Sequence, residues 1–206
     1  DAADPENTLP DTKQRGALQE RFLRGLGQLQ KKLDEKENGK TRVVPKGAKP
    51  ELILKDGLIF YNGKPLLMGK PLQDWKDIFS TPHRCVISKY KIDPTVCIWD
   101  GLGIEILASP SEKKVFQLTL QINSRPTDPF NIDSAGSSDT YPKNAFPGYF
   151  ELDGFGIDTK TKFWEIRSNV KPERNLTCGF RDCTHPKGLF TEGQKLYLEL
   201  NKNSDH

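Results

Sequence analysis

Apolar residues recur along this chain with two periods, and the change from one to the other divides it. From Thr12 onward, Leu18, Phe22, Leu26, Leu29 and Leu33 return at steps of three and four, which places them on one face of a helix. Gln, Glu, Arg and Lys fill the other face. Gly25 and Gly27 each weaken that helix by up to ~1 kcal/mol relative to alanine, so it needs a surface to pack on. Glu37-Asn38-Gly39 marks its end, because glycine fits the left-handed position past a last turn. Its acidic and basic residues balance, which argues against a membrane surface. The expected dock is the protein's own sheet, in preference to a partner helix. Residues 1–10 read as a loose tail, and residues 41–50 as a linker broken by two prolines and a glycine.

From Glu51 the apolar runs become short. Leu52-Ile53-Leu54 and Leu58-Ile59-Phe60-Tyr61 flank Asp56-Gly57, a hairpin signal because Asp-Gly supplies the positive φ angles of a tight turn. Asn62-Gly63 repeats the device before a short strand over 64–68. Pro71 opens a helix near its first position, where a missing N–H costs nothing. Leu72, Trp75 and Phe79 share one face of it, so Trp75 is expected as a core anchor. Strands follow over 84–91, 95–100, 104–107 and 115–122. The last should place Phe116, Leu118, Leu120 and Ile122 on a buried face and Gln117, Thr119 and Gln121 in solvent.

Residues 123–147 change character, with four prolines and many Ser, Asp and Asn. Loops of that length inside a domain are usually functional or disordered. Phe130, Tyr141 and Phe146, with acidic neighbours Asp128, Asp133 and Asp139, are the candidate partner-binding residues: aromatic anchors that a partner's surface could take. The same apolar residues could instead tack the loop to the body. From Gly148 the opening pattern returns. Asp153-Gly154 stands for Asn62-Gly63, and Phe163, Glu165 and Ile166 stand for Trp75, Asp77 and Ile78. The expectation is a single α+β domain. It would have antiparallel sheets with short helices on one face and an N-terminal amphipathic helix within residues 1–50. Two related hairpin–helix–meander units, at 51–122 and 148–206, would be joined by the long loop.

Composition changes this picture little. With 31 basic and 28 acidic residues among 206 the formal net charge is +3, too balanced to point to nucleic acid without a basic stripe. No apolar run is long enough to span a bilayer. The four cysteines fall as two local pairs, Cys85 with Cys97 and Cys178 with Cys183. That spacing favours disulfides in an oxidising compartment over four reduced thiols. The opening DAADPE suits the region after a removed signal peptide or a lipoprotein cysteine, and equally a chain cut for expression. Together these point to the periplasm, with room for a lipid anchor upstream.

The search for chemistry returns little. There is no G-x-S-x-G nucleophile elbow and no glycine-rich phosphate loop. Cys178, Cys183 and His185 lack a fourth ligand and a C-x2-C pair, so no metal and no cofactor is expected. Glu151, Asp153 and Asp158 lack calcium-loop spacing. A cysteine nucleophile beside His83 or His185 competes with two structural pairs. The balance favours a binding protein over an enzyme.

One stretch has a family character. It runs from a glycine-containing hairpin through G-K-P-L-Q-D-W-K-D-I-F to I-W-D-G-L-G-I-E-I-L, with F-P-G-Y-F-E-L-D-G-F-G-I-D and F-W-E-I later. This resembles a bacterial family encoded beside the secreted toxins of polymorphic and type VI secretion systems, over about residues 51–200. More loosely it is similar to the helix-plus-meander units of β-lactamase inhibitor proteins and of outer-membrane assembly lipoproteins. The resemblance implies a periplasmic immunity protein that binds and blocks a cognate toxin by occlusion. It carries no toxin-binding residue over. The alternatives are a structural or assembly lipoprotein of the envelope and, third, a hydrolase.

Overall fold

The computed structural model describes residues 12–86, 90, 92–123, 141–169, 177–178, 182–184 and 197–199. Helix α1 (Thr12–Asn38) precedes strands β1 (Glu51–Lys55), β2 (Leu58–Tyr61) and β3 (Lys64–Leu66) and helix α2 (Leu72–Phe79). Strands β4 (Arg84–Val86), β5 (Thr95–Trp99), β6 (Ile104–Ala108) and β7 (Val115–Leu120) form the meander. Then come β8 (Tyr149–Leu152), β9 (Phe155–Ile157), helix α3 (Phe163–Asn169), β10 (Thr177–Cys178), β11 (Asp182–Thr184) and β12 (Tyr197–Glu199). The chain is thus α+β, as its pattern predicts.

The glycine turns fall where expected. Asp56-Gly57, Asn62-Gly63 and Asp153-Gly154 all have positive φ at both positions, which matches the twist of the strands they join. The two hairpins do not build separate sheets. They share one, in the order β3-β2-β1-β8-β9, and β8 lies parallel to β1 with Glu51 opposite Tyr149. The meander forms a second sheet, β4-β5-β6-β7, and β10-β11-β12 a third.

Helix α2 plugs the space between the first two sheets. Leu72, Trp75 and Phe79 are its buried face, the set predicted from spacing. Phe79 meets Tyr61 of the first sheet edge-on at 4.8 Å and Trp99 of the second at 4.9 Å. Edge-to-face aromatic pairs at such distances add about 0.5–1.5 kcal/mol to the burial itself. The Trp75 indole N–H donates to the Leu67 carbonyl at 3.2 Å, so its burial strands no donor. Ile104, Ile106, Leu52 and Leu152 complete a single core with these rings.

Three local expectations are corrected. The strand expected over 84–91 does not run to its end, because Tyr90 is exposed in a bend. Phe116, expected on the buried face of β7, is 53% exposed. The register there jumps from Leu107 opposite Gln117 to Ala108 opposite Val115, so Phe116 is the extra residue of a bulge and turns outward. In α3 the buried aromatic is Trp164 rather than Phe163; Phe163 lies half-exposed with the Arg167 guanidinium 6.0 Å from its ring centre.

The largest correction concerns α1. Its expected apolar dock on the sheet is not made: Leu18, Phe22, Leu26, Leu29 and Leu33 are all exposed. The helix attaches instead through polar residues, to α3.

Candidate functional site

Two surfaces stand out, and each starts from a strand or helix end that the core fixes. The first is the β4–β5 hairpin. β5 carries Cys97, Ile98 and Trp99, all fully buried, and it is held by β6 over its whole length. Cys85 of β4 lies directly opposite Cys97 and is bonded to it. One step further, the Arg84 guanidinium grips both oxygens of Asp100, at 2.8 and 3.2 Å. A disulfide and a two-pronged ion pair therefore brace the base of the connection between the strands. Tyr90 and Ile92 sit in that connection, 72% and 85% exposed. The Asp93 N–H donates to the Tyr90 carbonyl at 3.2 Å, which turns the chain there.

The same base receives the end of the long loop. Arg84 donates to the Tyr141 carbonyl at 2.9 Å, the Lys143 N–H donates to Asp100 at 2.9 Å, and the Asn144 amide donates to the Asp100 carbonyl. Hydrogen bonds from Arg84 hold the Asp100 carboxyl below the ordinary aspartate range, against the opposing effect of burial, with help from the Lys143 N–H. Among the predicted partner-binding residues, Tyr141 is thus half-buried beside the hairpin base. Phe146 is 8% exposed and belongs to the core. It is a tack and not an anchor: its N–H donates to Gln121 at 2.7 Å, and the loop backbone passes so close to Gly103 that a Cβ there would lie 2.5 Å from the Phe146 nitrogen. Asp128, Phe130, Asp133 and Asp139 lie outside the described residues. Tyr90 and Ile92 were missed because K-Y-K-I-D-P continues an apolar run and reads as strand. The Asp93-Pro94 turn signal was the available clue.

The second surface is the seam between α1, the linker and α3. Asp34 is 4% exposed. It accepts from Ser168, from Gln30 at 2.8 Å and from Arg167 at 2.9 Å. Burial alone would raise its pKa, but these hydrogen bonds hold it below the ordinary value. Lys31 donates to Asn169 at 2.8 Å. Further along, Arg42 pairs with Asp158, and its N–H donates to Glu165 at 2.9 Å. Lys46 reaches Glu151 at 2.7 Å, and the Tyr149 hydroxyl donates to the same carboxylate at 2.6 Å. Burial and that carboxylate push the tyrosine pKa up. Lys31, Lys40, Arg42 and Lys46 rim an open groove of about 400 Å³. Lys31, Arg42 and Lys46 face the carboxylates of Glu35, Asp158 and Glu151, which stitches the seam together.

The seam titrates. Asp34, Asp158 and Glu151 all have pKa values lowered on folding, so their contribution is complete above the unfolded carboxyl values and is lost as pH falls through the folded ones. Thermal stability should therefore be flat above about pH 5 and decline below about pH 4, near the reference carboxyl values. Asp34→Asn should cost about 1–2 kcal/mol at neutral pH, the usual loss for a broken buried hydrogen-bonded group, and flatten the acid decline. Melting curves from pH 7 to 3 check both; an unchanged acid slope in the variant would refute Asp34 as a titrating clasp.

The bonded pair Cys85–Cys97 offers no thiolate, and the His83 ring stacks on Trp99 at 5.0 Å. Among the described residues no group of three His, Cys, Asp or Glu side chains is placed to hold a metal ion. Among them, too, no helix is long and apolar enough to cross a membrane. The backbone register sets Cys178 opposite Cys183; the side chains that would form their predicted bridge are not described, and His185 lies outside the described residues.

No curated protein and no solved structure matches the chain. One family model does, a domain of unknown function (DUF7738), over residues 51–167. That span starts with β1, takes in both main sheets and α2, and ends within α3. It is more than half of the 206 residues, and the chain therefore belongs to the DUF7738 domain family.

Proposed function

We propose that this chain is an immunity-type protein, a periplasmic inhibitor that binds a secreted bacterial toxin and blocks it by occlusion. One observation carries the proposal: a hairpin braced at its base by a disulfide and an ion pair presents Tyr90 and Ile92 to solvent. An exposed aromatic on a connection pinned at its base has less conformational freedom to lose when a cleft takes it up, and affinity follows from that saving. Lys89 and Lys91 flank Tyr90 in the sequence, so the favoured cleft is acidic. The end of the long loop, docked on Arg84 and Asp100, extends the same surface. The Cys85–Cys97 bridge supports an oxidising compartment such as the periplasm. The resemblance to families encoded beside secreted toxins supports the choice of partner. A structural envelope protein is the second reading, favoured by the outward apolar face of α1.

The test uses the purified product of the gene adjacent to this one. Wild-type protein should bind it and suppress its activity at equimolar amounts. Tyr90→Ala/Ile92→Ala should weaken binding about 30-fold or more, the scale of an interface hot spot. Both side chains are largely exposed, so the melting temperature should fall by far less than the affinity. Alanine at Asp128, Phe130, Asp133 and Asp139 measures the loop in parallel. Unchanged affinity in the Tyr90/Ile92 variant removes the hairpin from the interface, and no binding by wild type removes the immunity reading.

A further inference from the structure

Helix α1 grips its own chain with its polar side. Lys31, Asp34, Glu35 and Asn38 face α3 and the linker or brace the last turn. At 100° per residue these positions lie opposite Phe22, Leu26, Leu29 and Leu33. That stripe, with Leu18, is 47–66% exposed. A helix docked by its polar face leaves its apolar face for something else.

The spacing of the stripe says what. Phe22, Leu26, Leu29 and Leu33 follow at four, three and four residues, the alternation of a coiled-coil seam. Phe22 and Leu29 then take the d positions and Leu26 and Leu33 the a positions. Leu18, Gly25 and Lys32 fall at g, and Leu23, Gln30 and Glu37 at e. In a parallel pair, each g residue meets the e residue five places further along the other helix. Leu18 then faces Leu23 of the partner subunit, and Lys32 faces Glu37 of the partner subunit. The helix is complementary to itself, apolar flank to apolar flank and cation to carboxylate.

The area suffices as well. Covering five half-exposed Leu and Phe side chains removes on the order of 500 Å² per protomer, so about 1,000 Å² in the pair, the lower edge of a specific interface. The helix lies outside the family's domain, which begins at residue 51, and the core does not call on it. We propose that α1 is a dimerisation helix, pairing in parallel with α1 of a second copy of this chain and joining two binding modules side by side.

Sedimentation of the full chain over a wide concentration range tests this. The wild-type mass should rise from 23.3 kDa toward twice that value. Leu26→Glu/Leu29→Glu should remain monomeric at every concentration while the body melts as in wild type. Lys32→Glu should weaken the dimer about five-fold, because it sets like charges at two symmetry-related sites, and Lys32→Glu/Glu37→Lys should restore it. A wild type that stays monomeric overturns the proposal and leaves the stripe to a different protein. So does a dimer indifferent to the Leu26/Leu29 changes, and a Lys32→Glu defect that Glu37→Lys does not repair rules out the parallel register.

Discussion

Gly148→Ala should lower the free energy of unfolding by about 3 kcal/mol or more, at the upper end of overpacking costs. A Cβ at that position would lie 1.6 Å from the Pro50 carbonyl oxygen and 2.6 Å from its carbon. Both are backbone atoms, so no side-chain rotation relieves the clash. The next residue makes it worse: the Tyr149 N–H donates to the same Pro50 oxygen at 3.0 Å, and the β1–β8 register starts there. β1 is the central strand of β3-β2-β1-β8-β9. Pushing β8 away therefore divides the sheet into the three strands β3-β2-β1 and the hairpin β8-β9, and a two-stranded hairpin is marginal alone. Gly154→Ala is the control. Gly154 has φ +93° and nothing within 4 Å of its Cβ position, so alanine there costs only left-handed strain, about 1–2 kcal/mol. Denaturant titrations of both variants decide the matter; equal losses would mean that Pro50 does not crowd Gly148.

That junction shows where the sequence stops being legible. Each Asp-Gly and Asn-Gly turn was readable because its chemistry is local: two residues fix two φ angles. The inner face of α2 was readable because Leu72, Trp75 and Phe79 repeat with the helix. The pairing of β1 with β8 spans almost a hundred residues of chain, and its only mark in the sequence is a glycine before Tyr149. The strands of the two hairpins look alike, so nothing local says that they share a sheet. Phe116 illustrates the other limit. Alternation placed it inward, but a bulge is set by the partner strand's register, which β7 alone does not encode.

The surfaces were harder still. The periodicity of α1 gave its apolar stripe correctly, yet not its direction. A stripe states that a face wants cover, and the cover was assumed to be the nearest sheet. Asp34, which the apolar period leaves unmarked, is buried. Its partners Arg167 and Ser168 lie more than a hundred residues away. Likewise Tyr90 became visible as a surface residue only once the chain was seen to bend there.

The Cys85–Cys97 bridge should contribute about 3 kcal/mol. In the loop-entropy model, closing a loop of this length removes roughly that much freedom from the unfolded chain; the two cysteines are 12 residues apart. The native hairpin needs the bridge unevenly. Ile98 and Trp99 are fully buried and β6 pairs with all of β5, so β5 keeps its place without the bond. β4 has three residues and sits at the edge of its sheet, held otherwise by Arg84 on Asp100. Cys85→Ala/Cys97→Ala should therefore fold, with a denaturation midpoint lowered to match about 3 kcal/mol. Its freedom should appear at the tip, as faster amide hydrogen exchange over residues 84–94 while β5 and β6 stay protected. Under reductant, wild type and variant should share one midpoint, because the variant lacks only the Cys85–Cys97 bond. Affinity for the proposed partner should fall as well, because residues 84–94 must then be ordered on binding. A variant as stable as oxidised wild type would show that the bridge constrains nothing. A loss of protection spread through β5 and β6 would show that it holds the sheet together, and that the core does not hold β5 in place without it.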